Sequence, residues 1–255
     1  MPHAHIVFAH PEPTSLTARL AQAGRDQLLG EGWDISLSDL YSLGFDPAER
    51  PSHYEASDAA APFHVQTAQR AAAGAIPPLI ASEIAHLDRA DLLIVHFPMW
   101  WFGPPAMMKG WMDRVFVYGE MYRSTMRYGT GRFRGRRMLA CVTFGAPETF
   151  CGPDGREGNA RMHLFPVLYP FHYLGYEVLE PELMFGIGST VRLETGDSDA
   201  AAQSELDTRI GVWKDALAQR HSREAVRYNA DEDFGADGRL KAGAETFSPF
   251  IRRAD

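Results

Sequence analysis

Three stretches of this 255-residue chain combine residue types and spacings that could do chemistry. The first is His10-Pro11-Glu12-Pro13-Thr14-Ser15-Leu16-Thr17-Ala18, directly after the apolar run His5-Ile6-Val7-Phe8-Ala9. Hydroxyls and backbone N–H groups at a helix start, aided by the helix dipole, are what a phosphate or pyrophosphate needs. Thr14, Ser15 and Thr17 are also the residue types that cap helices, and the sequence leaves both roles open. The second stretch is Pro98-Met99-Trp100-Trp101-Phe102-Gly103-Pro104-Pro105. Three consecutive aromatics between prolines cannot all be buried on one side of an element, and a loop is a costly place to expose them. A flat aromatic ligand would explain them, since stacked rings gain roughly 0.5–1.5 kcal/mol beyond burial. A subunit interface would explain them as well. The third stretch is Thr143-Phe144-Gly145-Ala146, where a glycine lets the backbone approach a ligand closely or simply turn.

The elements that must position these loops alternate along the chain. Short apolar runs at 5–9, 92–97, 138–143 and 177–184, with a more alternating run at 33–37, read as strands. Helical spacing covers 17–29, closed by Gly30, and then 79–90, 106–116, 160–174 and 199–220. Residues 44–78 are punctuated by Pro and Gly and are too long for a plain connector. Nearly continuous apolar strands alternating with helices predict an α/β, doubly wound, five-stranded parallel sheet with helices on both faces. Such sheets bind ligands outside the carboxyl ends of their strands, where the three loops fall. Two parts are expected: a domain over 1–222 and an irregular C-terminal tail over 223–255, which could wrap a partner subunit.

Composition narrows the function. A net charge of −8 argues against nucleic acid as a partner. The two cysteines, Cys141 and Cys151, form neither a disulfide framework nor a metal-ligand spacing, which suits a reducing cytoplasm. No export signal is evident and no run approaches the roughly 20 apolar residues of a membrane span, so a soluble, unexported protein is expected. G-x-G-x-x-G and G-x-x-x-x-G-K-[ST] fingerprints are absent from the first loop. His3, His5 and His10 lack a carboxylate or thiol to complete a metal site, and no metal is expected. His96 reads as a hydrogen-bonded core histidine and the Met107-Met108 pair as core or interface.

The segments HIVFAHPEPTSLTARL, GWDISLSDLYSLGFDP, ADLLIVHFPMWWFGPPAMMKGWMDRVF, FRGRRMLACVTFG and LGYEVLEPELMFGIG, in this order and spacing, resemble the DT-diaphorase-like NAD(P)H:quinone oxidoreductases. The resemblance spans almost the whole chain. It implies a flavodoxin-like fold, a homodimer, and tightly bound FAD at the dimer interface, with FMN in shorter relatives. It places His10, Thr14, Ser15, Leu16, Thr17 and Ala18 at the FAD phosphates and ribityl chain. Pro98, Met99, Trp100, Trp101 and Phe102 fall along the isoalloxazine, Thr143, Phe144, Gly145 and Ala146 at its polar edge, and Arg209 near the adenine half. Trp101, Phe102, Tyr122 and Gly145 then line the pocket shared by nicotinamide and acceptor, and Gln66 reaches the neighbouring subunit's FAD.

The resemblance implies ping-pong reduction of quinones, with NADH or NADPH as donor. In such enzymes a Tyr and a His after the fourth strand help hold charge on the reduced flavin. Here those positions are Cys151 and Glu157, while His163 and His172 flank the pocket-side helix as substitutes or as packing. Phe144 and Pro147 also replace smaller residues of a Thr-Thr-Gly-Gly pattern, which reshapes that wall. Competing readings are an azo- or nitro-aromatic reductase and a flavin-binding regulatory subunit of a potassium-efflux system. A one-electron carrier fits the enclosed aromatic pocket least.

Overall fold

Three strands are so apolar that only a sheet covered on both faces can hold them. β1 (His3–Phe8) and β3 (Leu92–Pro98) are buried at every position, and β4 (Arg137–Thr143) at every position after Arg137. β2 (Asp34–Asp39) is mostly half-buried and takes the edge. These assignments come from a computed structural model, which describes residues 1–53, 62–187 and 199–253. The strands pair in parallel in the order β2-β1-β3-β4-β5, the doubly wound order with its switch point between β1 and β3.

Among the described residues there are six helices, α1 (Leu16–Gly30), α2 (Phe63–Ala72), α3 (Pro78–Arg89), α4 (Ala106–Val115), α5 (Ala160–Tyr173) and α6 (Asp199–Ala218), and they lie on both faces of the sheet apart from α2, which packs near Tyr118. Alternate strand residues divide two cores, as the period of 2 requires. Ala4, Ile6, Ile94 and Leu139 pack with Leu20 and Leu28 of α1 and Trp213 of α6. Val7, Val95, Ala140 and Val142 pack on the other face with Ile80 of α3, Trp111 of α4 and Leu164 of α5. Ser15 caps α1 through Ala18 N, and the left-handed residue that ends the helix is Gly32, at φ 82°, rather than Gly30.

Two expectations change. Residues 63–72, inside the stretch read as punctuated connector, form α2; part of that stretch, 54–61, lies outside the described residues. The strand expected over 177–184 is two short ones, β5 (Glu177–Val178) and β6 (Glu182–Met184), both paired with β4. Pro181 has no N–H to offer the ladder, and Leu179 turns aside to bridge Ala225. Beyond the 3-10 turn after α6, the described tail holds one further 3-10 turn, Asp231–Asp233.

Two buried ionisable side chains are accommodated in different ways. Glu83 of α3 would be raised by burial, but His5 at 3.6 Å, the Ser38 hydroxyl at 2.7 Å and Trp111 Nε1 at 2.8 Å hold it below the usual carboxylate range. His96 of β3, expected to be hydrogen-bonded, has no partner for either ring nitrogen among the described residues; it meets the Trp213 ring edge to face at 4.9 Å. Burial lowers its pKa to about 3, so it stays neutral. The unfolded chain takes up a proton near pH 6.5 that the folded chain refuses, so stability present above that pH is lost as pH falls towards 3. His96→Phe, which keeps the ring contact, is expected to shrink the loss of stability between pH 7 and pH 5 by about 2 kcal/mol in urea titrations. An unchanged loss would mean that His96 is protonated in the folded state.

Candidate functional site

Thr143, the last residue of β4, joins the three loops. Its carbonyl accepts from Met99 N at 2.8 Å, which pins the loop after β3. Its hydroxyl shares a buried hydrogen bond of 3.0 Å with the Thr17 hydroxyl on the first turn of α1. Ala9 N donates to His96 O at 3.1 Å, closing the same edge between β1 and β3. The candidate residues of all three loops therefore do come together. The hydroxyls of Thr17 and Thr143 are committed to each other, however, and the Ser15 hydroxyl to Ala18 N at 3.3 Å. What remains open at the start of α1 is backbone: among the described residues, the N–H groups of Leu16 and Thr17 have no partner. Thr14 is exposed, and its carbonyl accepts from Arg19 Nε. His10 accepts from Glu12 N through Nδ1 at 3.0 Å, which leaves the proton of the neutral ring on Nε2 as a donor. Burial lowers its pKa, so the neutral form prevails at pH 7.

The aromatic loop is a tight turn. Trp100 N donates to Gly103 O at 2.9 Å and Gly103 N to Trp100 O at 3.1 Å. Between them Trp101 and Phe102 stand at φ 51° and 63°, the left-handed region normally filled by Asn or Gly in such turns. Large side chains held there cost of order 1–3 kcal/mol each, a strain that persists only where the surroundings fix it. Here two histidines do so: His10 meets Trp100 at 5.9 Å and His163 of α5 meets Phe102 at 5.0 Å. Trp101 is left 96% exposed and Phe102 53%. Their N–H groups also have no partner among the described residues.

In the third loop Phe144 turns its ring inward, 4.8 Å from Phe185, and its N–H is used by Met184 O. Phe144 thus presents no ring to a ligand. A Cβ placed on Gly145 meets nothing within 4 Å, and the N–H groups of Gly145 and Ala146 lack partners among the described residues. Cys151, the residue at the family's Tyr position, is packed into the core at 6% exposure, and burial with the nearby Glu157 charge pushes its thiol up. Its remaining surface lines a cavity of about 440 Å³ with Glu148, Glu182 and Arg223. Glu157 contributes its carbonyl, which accepts from His163 Nε2 at 2.9 Å and so orients that ring against Phe102. The sequence offered His163 and His172 equally; His172 instead stacks on Tyr228 at 4.4 Å.

Three candidates lie apart from the turn. Tyr122 packs against Tyr118 and Tyr173, and Tyr173 is ten residues along α5 from His163, about 15 Å of helix. Burial raises its hydroxyl pKa. Gln66 lies on α2, whose His64 meets Tyr118 at 5.6 Å, so Gln66 and Tyr122 share one region of the chain. Tyr122, Phe165, Tyr169 and Tyr173 line an apolar groove of about 570 Å³ there. Arg209 of α6 donates to Glu205 and, at 2.8 Å, to Phe185 O, which keeps it near the third loop.

The strand order, and a carboxyl edge where three loops leave six backbone N–H groups without a partner among the described residues, define a flavodoxin-like protein. The chain belongs to that family: the model described as the flavodoxin-like fold matches residues 2–210. Within it, the chain is 32% identical over 198 residues to NAD(P)H dehydrogenase (quinone) 1 of Cavia porcellus, covering 73% of this chain and 70% of that one. It is also 32% identical over 214 residues to ribosyldihydronicotinamide dehydrogenase (quinone) of Pongo abelii, covering 82% and 91%. A solved structure from Klebsiella pneumoniae, assigned as a quinone reductase, superposes with a TM-score of 0.82 at 26% identity and covers 96% of this chain and 97% of its own. Among the described residues, no helix is long and apolar enough to cross a membrane.

Two outcomes test this geometry. Thr143→Val strands the buried Thr17 hydroxyl and is expected to cost about 1–3 kcal/mol, whereas adding Thr17→Val recovers part of that loss, so the stabilities of the two single variants and the double variant do not add. Trp101→Gly removes left-handed strain at an exposed side chain and adds unfolded-chain entropy; thermal unfolding is expected to show it neutral to about 1 kcal/mol more stable. A clear loss of stability would mean that the turn is not strained.

Proposed function

We propose that this chain is an FAD-dependent NAD(P)H:acceptor oxidoreductase that reduces quinones by two electrons in a ping-pong cycle and works as a homodimer. The observation that carries the reading is the set of open backbone donors at Leu16, Thr17, Trp101, Phe102, Gly145 and Ala146, arranged around an exposed, strained aromatic turn. These residues fit a flavin: an anionic tail suits the start of α1, and an electron-rich ring edge suits the N–H groups of the other two loops. Bound there, the flavin would supply hydride acceptance from a nicotinamide and hydride donation to a quinone.

The chain's own residues do the rest. Trp101 and Phe102 offer ring faces on which a nicotinamide and then a quinone stack in turn, so one pocket serves both half-reactions. His163, fixed by the Glu157 carbonyl, braces Phe102 in that wall. His10 offers its Nε2–H to negative charge near the first loop. Arg209, paired with Glu205, lies on the side of the third loop, where its planar guanidinium offers a stacking face to the adenine of a longer flavin. Tyr122 packs by Tyr173, about 15 Å of helix from His163, so a role for Tyr122 and Gln66 beside the aromatic turn calls for a second copy of the chain, which supports the homodimer reading.

The purified protein reconstituted with FAD is expected to absorb between about 350 and 500 nm, as flavins do, to bleach under anaerobic NADH or NADPH, and to recover with benzoquinone. Initial rates should give parallel double-reciprocal lines. Failure to bind any flavin would overturn the assignment; bleaching without recovery would remove the quinone.

A further inference from the structure

The apolar groove adjoins a second cavity of different character. Tyr169, Phe250 and Ile251 line both, and the second cavity, about 1120 Å³, is walled by the tail and by the Arg127-Tyr128 turn. Four arginines line it, Arg127, Arg239, Arg252 and Arg253, against one carboxylate, Asp231. Several other arginines of this acidic chain are ion-paired: Arg132 with Asp88 and Glu120, Arg137 with Glu177, Arg220 with Glu31, Arg223 with Glu182. Among the described residues none of these four arginines forms an ion pair with a carboxylate, and Arg253 spends one N–H on the Ala242 carbonyl. In a chain of net charge −8, four arginines against one lining carboxylate, whose charge acts on Arg127, focus positive potential on a concave wall.

One of these charges sits beside the groove. Arg127 stands at the junction of the two cavities, over the rings of Tyr128 and Tyr173 at 5.8 and 6.0 Å, and Tyr173 belongs to the groove. Tyr128 is held at φ 49° with its ring 4.8 Å from Tyr173, so this junction is a strained feature of the fold. Arg239, Arg252 and Arg253 line the second cavity from the tail, Arg252 directly after Ile251, which lines both cavities. A ligand matching this arrangement has a flat apolar ring, a charged middle, and a further anionic group at its far end. Arginine forks suit phosphate oxygens, which accept paired hydrogen bonds.

We infer that the tail cavity binds the adenosine end of the nicotinamide donor and that Arg239, Arg252 and Arg253 select NADPH over NADH by its 2′-phosphate, with Arg127 at the diphosphate. This rests on the NAD(P)H reading of the site. A diphosphate alone would leave the three tail arginines without a counter-charge; the phosphomonoester supplies it.

The test uses fragments that carry no reducing ring: 2′-phospho-ADP-ribose and ADP-ribose, titrated calorimetrically into the full-length protein. The 2′-phosphorylated fragment is expected to bind at least ~10-fold more tightly, with a preference that falls as salt rises. Combined Arg239→Gln, Arg252→Gln and Arg253→Gln should abolish that preference, while Arg25→Gln on the exposed face of α1 leaves it intact. Arginine-to-lysine changes at the same three positions should retain part of it, because charge survives without the fork. Equal binding of the two fragments, or a preference that persists in the triple glutamine variant, would overturn the inference. The outcome separates from that of the proposed function: a flavin bleached equally by NADH and NADPH sinks only the selectivity, whereas a protein that prefers the 2′-phosphorylated fragment yet binds no flavin keeps the cavity and loses the oxidoreductase.

Discussion

The whole carboxyl edge depends on Thr143. Its carbonyl holds Met99 and its hydroxyl holds Thr17, so the loops after β1, β3 and β4 meet at one residue. The hydroxyl pair is buried, so each group needs the other; an unpaired buried hydroxyl costs more than a formed bond returns. Such a junction makes the edge stiff. Stiffness is what allows Trp101 and Phe102 to be kept in the left-handed region, because strain survives only where neighbouring structure over-determines it.

The protein interior treats its buried titratable groups by a consistent rule. A carboxylate cannot be left bare, and Glu83 is met by a hydroxyl, an indole N–H and an imidazole. An imidazole can escape the cost of burial by staying neutral, and His96 does so, with an aromatic edge contact in place of hydrogen bonds. Glu83 thereby ties α3 and α4 to the β1–β2 edge, while His96 seats α6 through Trp213. The two sheet faces are thus secured by unlike means, and both leave the carboxyl edge free of buried charge.

Much of this was legible in the sequence because continuous apolar runs permit few alternatives: β1, β3 and β4 lie where their composition requires. α2 was hidden by its Ala- and Gln-rich sequence in a stretch flanked by Pro and Gly. The break between β5 and β6 could have been read from Pro181, whose missing N–H interrupts a ladder. At the site, residue type announced a cap but could not say which hydroxyl was spent. Ser15 caps by local geometry, whereas Thr17 is engaged by a partner 126 positions away. The resemblance implies a pocket position for Cys151, which lies largely in the core beside a cavity, while α5 brings His163 to the aromatic turn. Only tertiary packing separates His163 from His172.

What remains open to a ligand is therefore chiefly main chain. Of the candidate hydroxyls beside α1 and β4, those of Ser15, Thr17 and Thr143 all serve the framework, and the donors facing the opening are N–H groups that any residue supplies. Side-chain identity acts indirectly, by deciding which backbone conformations are held. Trp101 and Phe102 matter twice, once as ring surfaces and once because their turn exposes two amides that an extended strand would have paired. A site built this way tolerates changes such as Phe144 in place of a smaller residue, since the ring can be folded into the core while Gly145 and Ala146 keep their amides outward. The elements that do project side chains into cavities are the aromatic groove of α5 and the arginine-lined wall of the tail.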